Sequence, residues 1–89
     1  MNNAEVAAVF REIADLLEKR KDNWFKIRAY RKAADAIENE PVAVEQLVAE
    51  GKLRDIPGIG EAISKKITEL VTTGHLQFYE KLRTETGGE

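Results

Sequence analysis

Apolar residues recur along this chain at the three- and four-residue intervals of a single helical face, and no stretch alternates apolar with polar residues as a half-buried strand would. Val6, Val9, Phe10, Ile13, Leu16 and Leu17 predict a first helix from about Asn3 to Lys19, with Asn2 or Asn3 placed to cap it. Glu5, Glu12, Asp15 and Glu18 decorate its other side, which makes that side a poor surface for a polyanion. Asp22 and Asn23 interrupt the pattern, and Asn23 can cap a second helix from about Trp24 to Asn39, with Ile27, Tyr30, Ala33 or Ala34, and Ile37 facing inward. Pro41 ends that helix. Val44, Leu47 and Val48 suggest a short third one stopped by Gly51. Leu53 to Ile56 read as the last turn before a Pro-Gly-Ile-Gly loop, and a fourth helix follows from Ile59 or Gly60 to about Thr73, with Gly74 as its left-handed stop. Leu76, Phe78, Tyr79 and Leu82 support a short terminal helix, while Thr84 to Glu89 lack apolar periodicity and are expected to fray. The expected fold is all-α, a small bundle of four to five helices forming one domain over residues 1–83.

The loop between the third and fourth helices is where chemistry enters. Pro57 restricts the backbone, and Gly58 and Gly60 both permit positive φ and leave no Cβ to hold a ligand away from the main chain. The loop feeds a helix whose first amides lack internal partners, and those amides together with the positive end of the helix dipole make a seat for an anion such as phosphate.

Composition narrows the alternatives. Eighty-nine residues suit one small domain with a modest core. The absence of cysteine excludes disulfides and thiolate metal sites, and His75, the single histidine, has no second histidine with which to share zinc. No apolar run approaches the roughly 20 residues of a membrane span, and Glu5 replaces the basic start of a signal peptide, so a soluble cytoplasmic protein is expected. The net charge of −2 would argue against nucleic acid, but the charges are segregated. Lys19, Arg20, Lys21, Lys26, Arg28, Arg31 and Lys32 crowd one stretch against Asp22 alone, and Ala33 to Gly51 then carries only acids. A basic side on an acidic domain permits local phosphate binding.

Two stretches, Phe25-Lys26-Ile27-Arg28-Ala29-Tyr30-Arg31-Lys32-Ala33-Ala34 and Leu53-Arg54-Asp55-Ile56-Pro57-Gly58-Ile59-Gly60-Glu61-Ala62-Ile63, resemble the N-terminal domain of family X DNA polymerases, repair polymerases related to DNA polymerase beta, and especially their bacterial branch. The second stretch alone looks like a helix-hairpin-helix motif, at about residues 53–73. The pair is far more specific and extends the resemblance over nearly the whole chain. It implies a SAM-like helical domain that holds DNA by its backbone, in a parent polymerase acting in DNA repair, including base excision repair, at gapped or nicked duplex, as a monomer in the cytoplasm and at the bacterial nucleoid. Amides around Gly58, Ile59, Gly60, Glu61 and Ala62 would contact a phosphate, with Lys65, Lys26, Tyr30 and Arg31 nearby. A monovalent cation, K+ or Na+, would be held by the backbone carbonyls of Arg54, Ile56 and Ile59, and no other cofactor is required. Contacts of this kind fix position without reading sequence, so binding should weaken steeply with salt.

The animal relatives use this domain as a 5′-deoxyribose phosphate lyase, and by motif position the Schiff-base lysine falls on Lys66. At about 100° per residue, the stripe of Ile63, Ile67, Leu70 and Val71 spans about 100°, with Lys66 about 40° beyond its edge and Lys65 pointing away. Lys66 therefore borders the core, where an amine can be perturbed or can simply snorkel to water. Against the lyase reading, Phe25 stands where those relatives have histidine, and Ala62 and Phe78 where they have phosphate-binding lysines. DNA docking is the leading expectation and the lyase the alternative. Polymerisation is excluded from these residues, because no Asp-x-Asp pair is present to hold two magnesium ions. In the family a polymerase core follows this domain, so the chain reads as an excised N-terminal piece. A third class, an assembly domain without DNA binding, would show an exposed apolar patch from Trp24, Phe25, Phe78 and Tyr79; ordinary packing at helix ends is the expectation for these aromatics.

Overall fold

The computed structural model describes residues 1–86, and within them the chain is five α-helices without a strand. They are α1 (Asn3–Lys19), α2 (Trp24–Glu38), α3 (Val44–Glu50), α4 (Glu61–Thr73) and α5 (Gln77–Glu85), with a single 3-10 turn at Leu53–Asp55. No helix of the described residues is long and apolar enough to cross a membrane.

The inward stripes found each other as their spacing predicts. Phe10, Ile13 and Leu17 of α1, Ile37 of α2, Ile67 of α4, and Leu76 and Leu82 at α5 are fully buried in one core. α1 lies along α2, which is the principal helix pairing, and α4 and α5 close over it. Arg11 of α1 reaches Asp35 and Glu38 of α2, and Arg31 of α2 reaches back to Asp15 and Glu18 of α1, so charge as well as packing sets the relation of these two helices. Ile27 and Val9, counted inward on periodicity, are only partly buried.

How each helix begins is the feature that later matters most. α1 starts with a full capping box: the Asn2 side chain accepts the Glu5 amide and the Glu5 carboxylate accepts the Asn2 amide. Asn23 caps α2 by accepting the amides of Phe25 and Lys26. The first residue of α3 donates its amide to the Asn3 side chain 2.9 Å away on α1, and the first residue of α5 donates to Glu69 of α4 at 2.9 Å. Asn3 thus takes no part in capping α1. Its amide nitrogen also donates to the carbonyls of Glu40 and Val42, at 3.1 and 3.0 Å, and latches the α2–α3 loop onto α1.

The tail expected to fray from Thr84 begins inside the last helix. α5 continues to Glu85, because the hydroxyls of Thr84 and Thr86 donate back to the carbonyls of Glu80 and Leu82, and Arg20 holds Glu85 at 3.2 Å. Lack of apolar periodicity hid these polar ties. The rest of the expected tail, Gly87 to Glu89, lies outside the described residues.

Candidate nucleic-acid interface

Leu53 is buried at the start of the 3-10 turn, and Ile56 and Ile59, only 7% and 5% exposed, plug both sides of the following loop into the core. Between them the chain must reverse over two residues. The Ile59 amide donates to the Ile56 carbonyl at 3.1 Å, and Gly58 takes φ +95°, the signature of a type II turn with proline at its first corner. Gly58 also backs onto α2. A Cβ there would lie 3.7 Å from Lys32 Cγ and 4.0 Å from the Ala36 methyl. The turn is therefore seated on α2 through Lys32, a residue that motif reasoning did not place at the site. Its sequence signals were membership of the basic run and of the first motif stretch, and nothing local shows which face of α2 the hairpin meets.

Gly60 behaves differently and makes no use of the positive φ that glycine permits. Its φ of −89° and ψ of −176° are extended backbone open to any residue, and a Cβ would meet nothing within 4 Å. Neither backbone nor packing inside the chain requires glycine at this position. Gly60 is the residue just before α4, and α4 has no side-chain cap. Among the described residues the amides of Gly60, Glu61, Ala62 and Ile63 find no acceptor in the protein, although the Gly60 carbonyl accepts from Ser64 at 2.9 Å. Four helix starts are satisfied by side chains; this one is left open beneath a glycine turn.

The cations around this opening fall into distinct states. Lys65 is 76% exposed and sits 3.6 Å from Glu61. Lys26 pairs with Asp22 at 3.4 Å. The Asn23 amide, then Arg20 and Lys26, hold the Asp22 carboxyl down at about 2. Arg31 is not brought to the hairpin: it turns toward α1, where Asp15 and Glu18 hold its guanidinium and raise its pKa further. The sequence placed it near Lys26 and Tyr30, but side chains one residue apart on a helix diverge by about 100°.

Lys66 lies, as its angle predicts, at the edge of the core. It is half-buried, its Nζ stands 4.9 Å over the Phe78 ring, and among the described residues no carboxylate pairs with it. It borders an open concavity of about 340 Å³ together with Lys26, Ala29, Tyr30, Ala62, Ile63 and Phe78. Tyr30 forms the floor. Its ring is stacked between Phe10 and Phe78 at 6.0 and 5.9 Å, and burial pushes its phenol up to about 12. Phe78 and Tyr79 are part of this packing. Trp24 and Phe25 are not: they stand 60% and 74% exposed, against the expectation of ordinary helix-end packing, because Asn23 starts α2 with both side chains outside the inward stripe.

The carbonyl set expected for a monovalent cation is compatible with the chain. Among the described residues the Arg54 and Ile59 carbonyls accept no hydrogen bond, and Ile56, which accepts one, keeps a second lone pair. No cluster of His, Asp or Glu among the described residues has a metal-ligand arrangement.

Comparison with known proteins agrees with this geometry. The chain is 28% identical over 85 residues to the DNA polymerase/3′-5′ exonuclease PolX of Bacillus subtilis (strain 168), covering 96% of this chain and 14% of that protein. It is 39% identical over 57 residues to DNA polymerase lambda of Arabidopsis thaliana, covering 64% of this chain and 10% of that protein. Both relatives are family X DNA polymerases, as the two motif stretches implied. A family model described as a helix-hairpin-helix domain matches residues 1–76, which include the seated turn, the open α4 start and most of the core beneath them. The chain belongs to the helix-hairpin-helix domain family.

Proposed function

We propose that this domain binds DNA without reading its sequence, seating a backbone phosphate on the open start of α4, and that it docks a family X repair polymerase at gapped or nicked duplex. One observation carries the reading: among the described residues, α4 is the helix whose first amides meet no side-chain acceptor, neither a cap of its own nor one lent by another helix as at α3 and α5, and it starts behind a glycine that the fold itself does not require. A phosphate supplies the missing acceptors and gains from the helix dipole. Lys65, Lys32 and Lys26 flank it and neutralise adjoining phosphates. A K+ or Na+ ion on the carbonyls of Arg54, Ile56 and Ile59 would add positive charge beside the phosphate and leave its geometry to the backbone. The polymerase relatives support placing the domain within a longer chain whose core performs the synthesis.

Gly60→Asp tests this by separating fold from grip. The aspartate caps α4 and complements its dipole, so stability is unchanged or rises by about 0.3–1 kcal/mol. It also fills the phosphate seat with a negative charge, so affinity for a nicked duplex falls about tenfold or more. Anisotropy titrations on the wild type should give a log–log salt slope of about −3 for three lysine contacts. Full binding by Gly60→Asp, or a flat salt response, would refute the grip.

A second reading, Schiff-base chemistry at Lys66, is favoured by the unpaired amine at the mouth of the Tyr30 concavity. The neutral Lys66 amine would attack the C1′ aldehyde of a 5′-deoxyribose phosphate and expel water to form the imine; loss of a C2′ proton to a water base then breaks the C3′–O bond, so the downstream strand leaves with a 5′-phosphate, and hydrolysis of the imine releases the sugar and restores the amine. Borohydride would trap the adduct on an incised abasic duplex, and Lys66→Ala would abolish trapping. An adduct that persists in Lys66→Ala removes this role.

A further inference from the structure

Trp24 and Phe25 are the large exposed aromatics of α2, and their rings meet edge to face at 4.8 Å. Such a pair is costly to leave in water and serves no part of the core. Its position is informative. Trp24, Arg28 and Lys32 are four apart, so they form one row up the surface of α2, and the top of that row is the residue on which Gly58 rests. The Arg28 guanidinium lies 5.3 Å over the Trp24 ring. Among the described residues neither Arg28 nor Lys32 has a carboxylate within salt-bridge distance, whereas the neighbouring Arg31 and Lys26 are both paired. Asp22 and Glu18, the acids that share a groove with Trp24 and Arg28, are occupied, the first by Arg20 and Lys26 and the second by Arg31.

The geometry points to a single-strand track: an unpaired DNA strand leaving the hairpin runs down α2 over Lys32 and Arg28, and one of its bases stacks on Trp24, with Phe25 as buttress. Exposed aromatics beside unpaired cations are the chemistry that holds single strands irrespective of sequence. An acidic protein segment would also meet the two cations, but it gains nothing from the continuity of the row with the hairpin. From Lys32 to Trp24 the helix rises about 12 Å. That matches three to four nucleotides of a stacked strand at about 3.4 Å each. The inference rests on the hairpin grip proposed above and adds a preference for gaps over nicks.

Trp24 is the only tryptophan, so its fluorescence reports directly on the platform. Titration with a nicked duplex should leave the emission nearly unchanged, and duplexes with gaps lengthening from one to four nucleotides should quench it progressively. Trp24→Ala should weaken binding of the four-nucleotide gap about 5- to 150-fold while leaving the nicked duplex as before. Trp24→Phe should retain most of the gap affinity, and matched melting temperatures would confirm that both variants are folded. Equal losses on nick and gap, or an emission indifferent to every gap length, overturns the track. If the nick is still bound in that case, the hairpin reading stands without it. Quenching by an acidic peptide but by no gapped duplex also overturns it, and assigns the patch to a protein partner.

Discussion

Tyr30 carries two demands in one side chain. Its ring is stacked into the Phe10–Phe78 column, and its hydroxyl borders the concavity that Lys26 and Lys66 frame. Burial disfavours the phenolate, which places the folded-state pKa at about 12 against an ordinary 10.0. A raised pKa means that the folded state holds its proton more tightly than the unfolded state. The stabilisation is therefore complete below pH 10.0 and is lost as pH rises from there toward about 12. Chemical denaturation of wild type and Tyr30→Phe should differ by a constant below pH 10.0 and then diverge, with the wild type losing stability faster. Parallel curves throughout would show that the hydroxyl ionises freely. Periodicity placed this ring in the core, where it lies, and the motif placed its hydroxyl at a site; Tyr30 lines the concavity beside Lys26 and Lys66. The stacking with Phe78 was beyond reach, because it joins α2 to α5 across 48 positions of sequence.

At the scale of elements, start and stop signals were the most legible feature. Asn2, Asn23, Gly51 and Gly74 mark boundaries that the chain adopts within a residue or so, since each acts through its own neighbouring backbone. Caps borrowed from another helix could not be read this way. Nothing near Val44 announces that Asn3 will satisfy its amide, and nothing near Gln77 points to Glu69. Asn3 is the stronger case, because it bonds one amide and two carbonyls across the α1–α3 boundary. Asn3→Ala should cost about 1–3 kcal/mol by stranding these part-buried groups. The melting temperature should fall by several degrees at least, at about 4–8 °C per kcal/mol for a domain of this size. Asn3→Asp keeps the acceptor for Val44 but loses both donors, so it should fall between wild type and Asn3→Ala. An unaltered melting temperature in Asn3→Ala would mean that water replaces the latch.

For the whole molecule, the arrangement of charge outweighs its sum. Charges are paired across the α1–α2 seam: Asp15 and Glu18 of α1 hold Arg31, and Arg11 of α1 answers Asp35 and Glu38. Among the described residues, what remains unpaired on α2 is Arg28 and Lys32, and of these Lys32 meets the hairpin. Linear counting found the basic run but could not tell which of its members were already neutralised, because that depends on how α1 lies against α2. It therefore counted Arg31 and Lys32 alike, and only Arg31 was carried into the expected phosphate contacts. A net charge of −2 also gives little long-range attraction, so discrimination between DNA structures has to come from contact.

The two glycines of the hairpin show how these scales separate. Gly58 is required by the positive φ of its turn, whereas the chain has no internal need of Gly60. A library enriched only for heat resistance should keep the first and replace the second freely, and one enriched for retention on DNA should keep both. Position 60 would then be where thermal robustness and ligand retention pull the same codon in opposite directions.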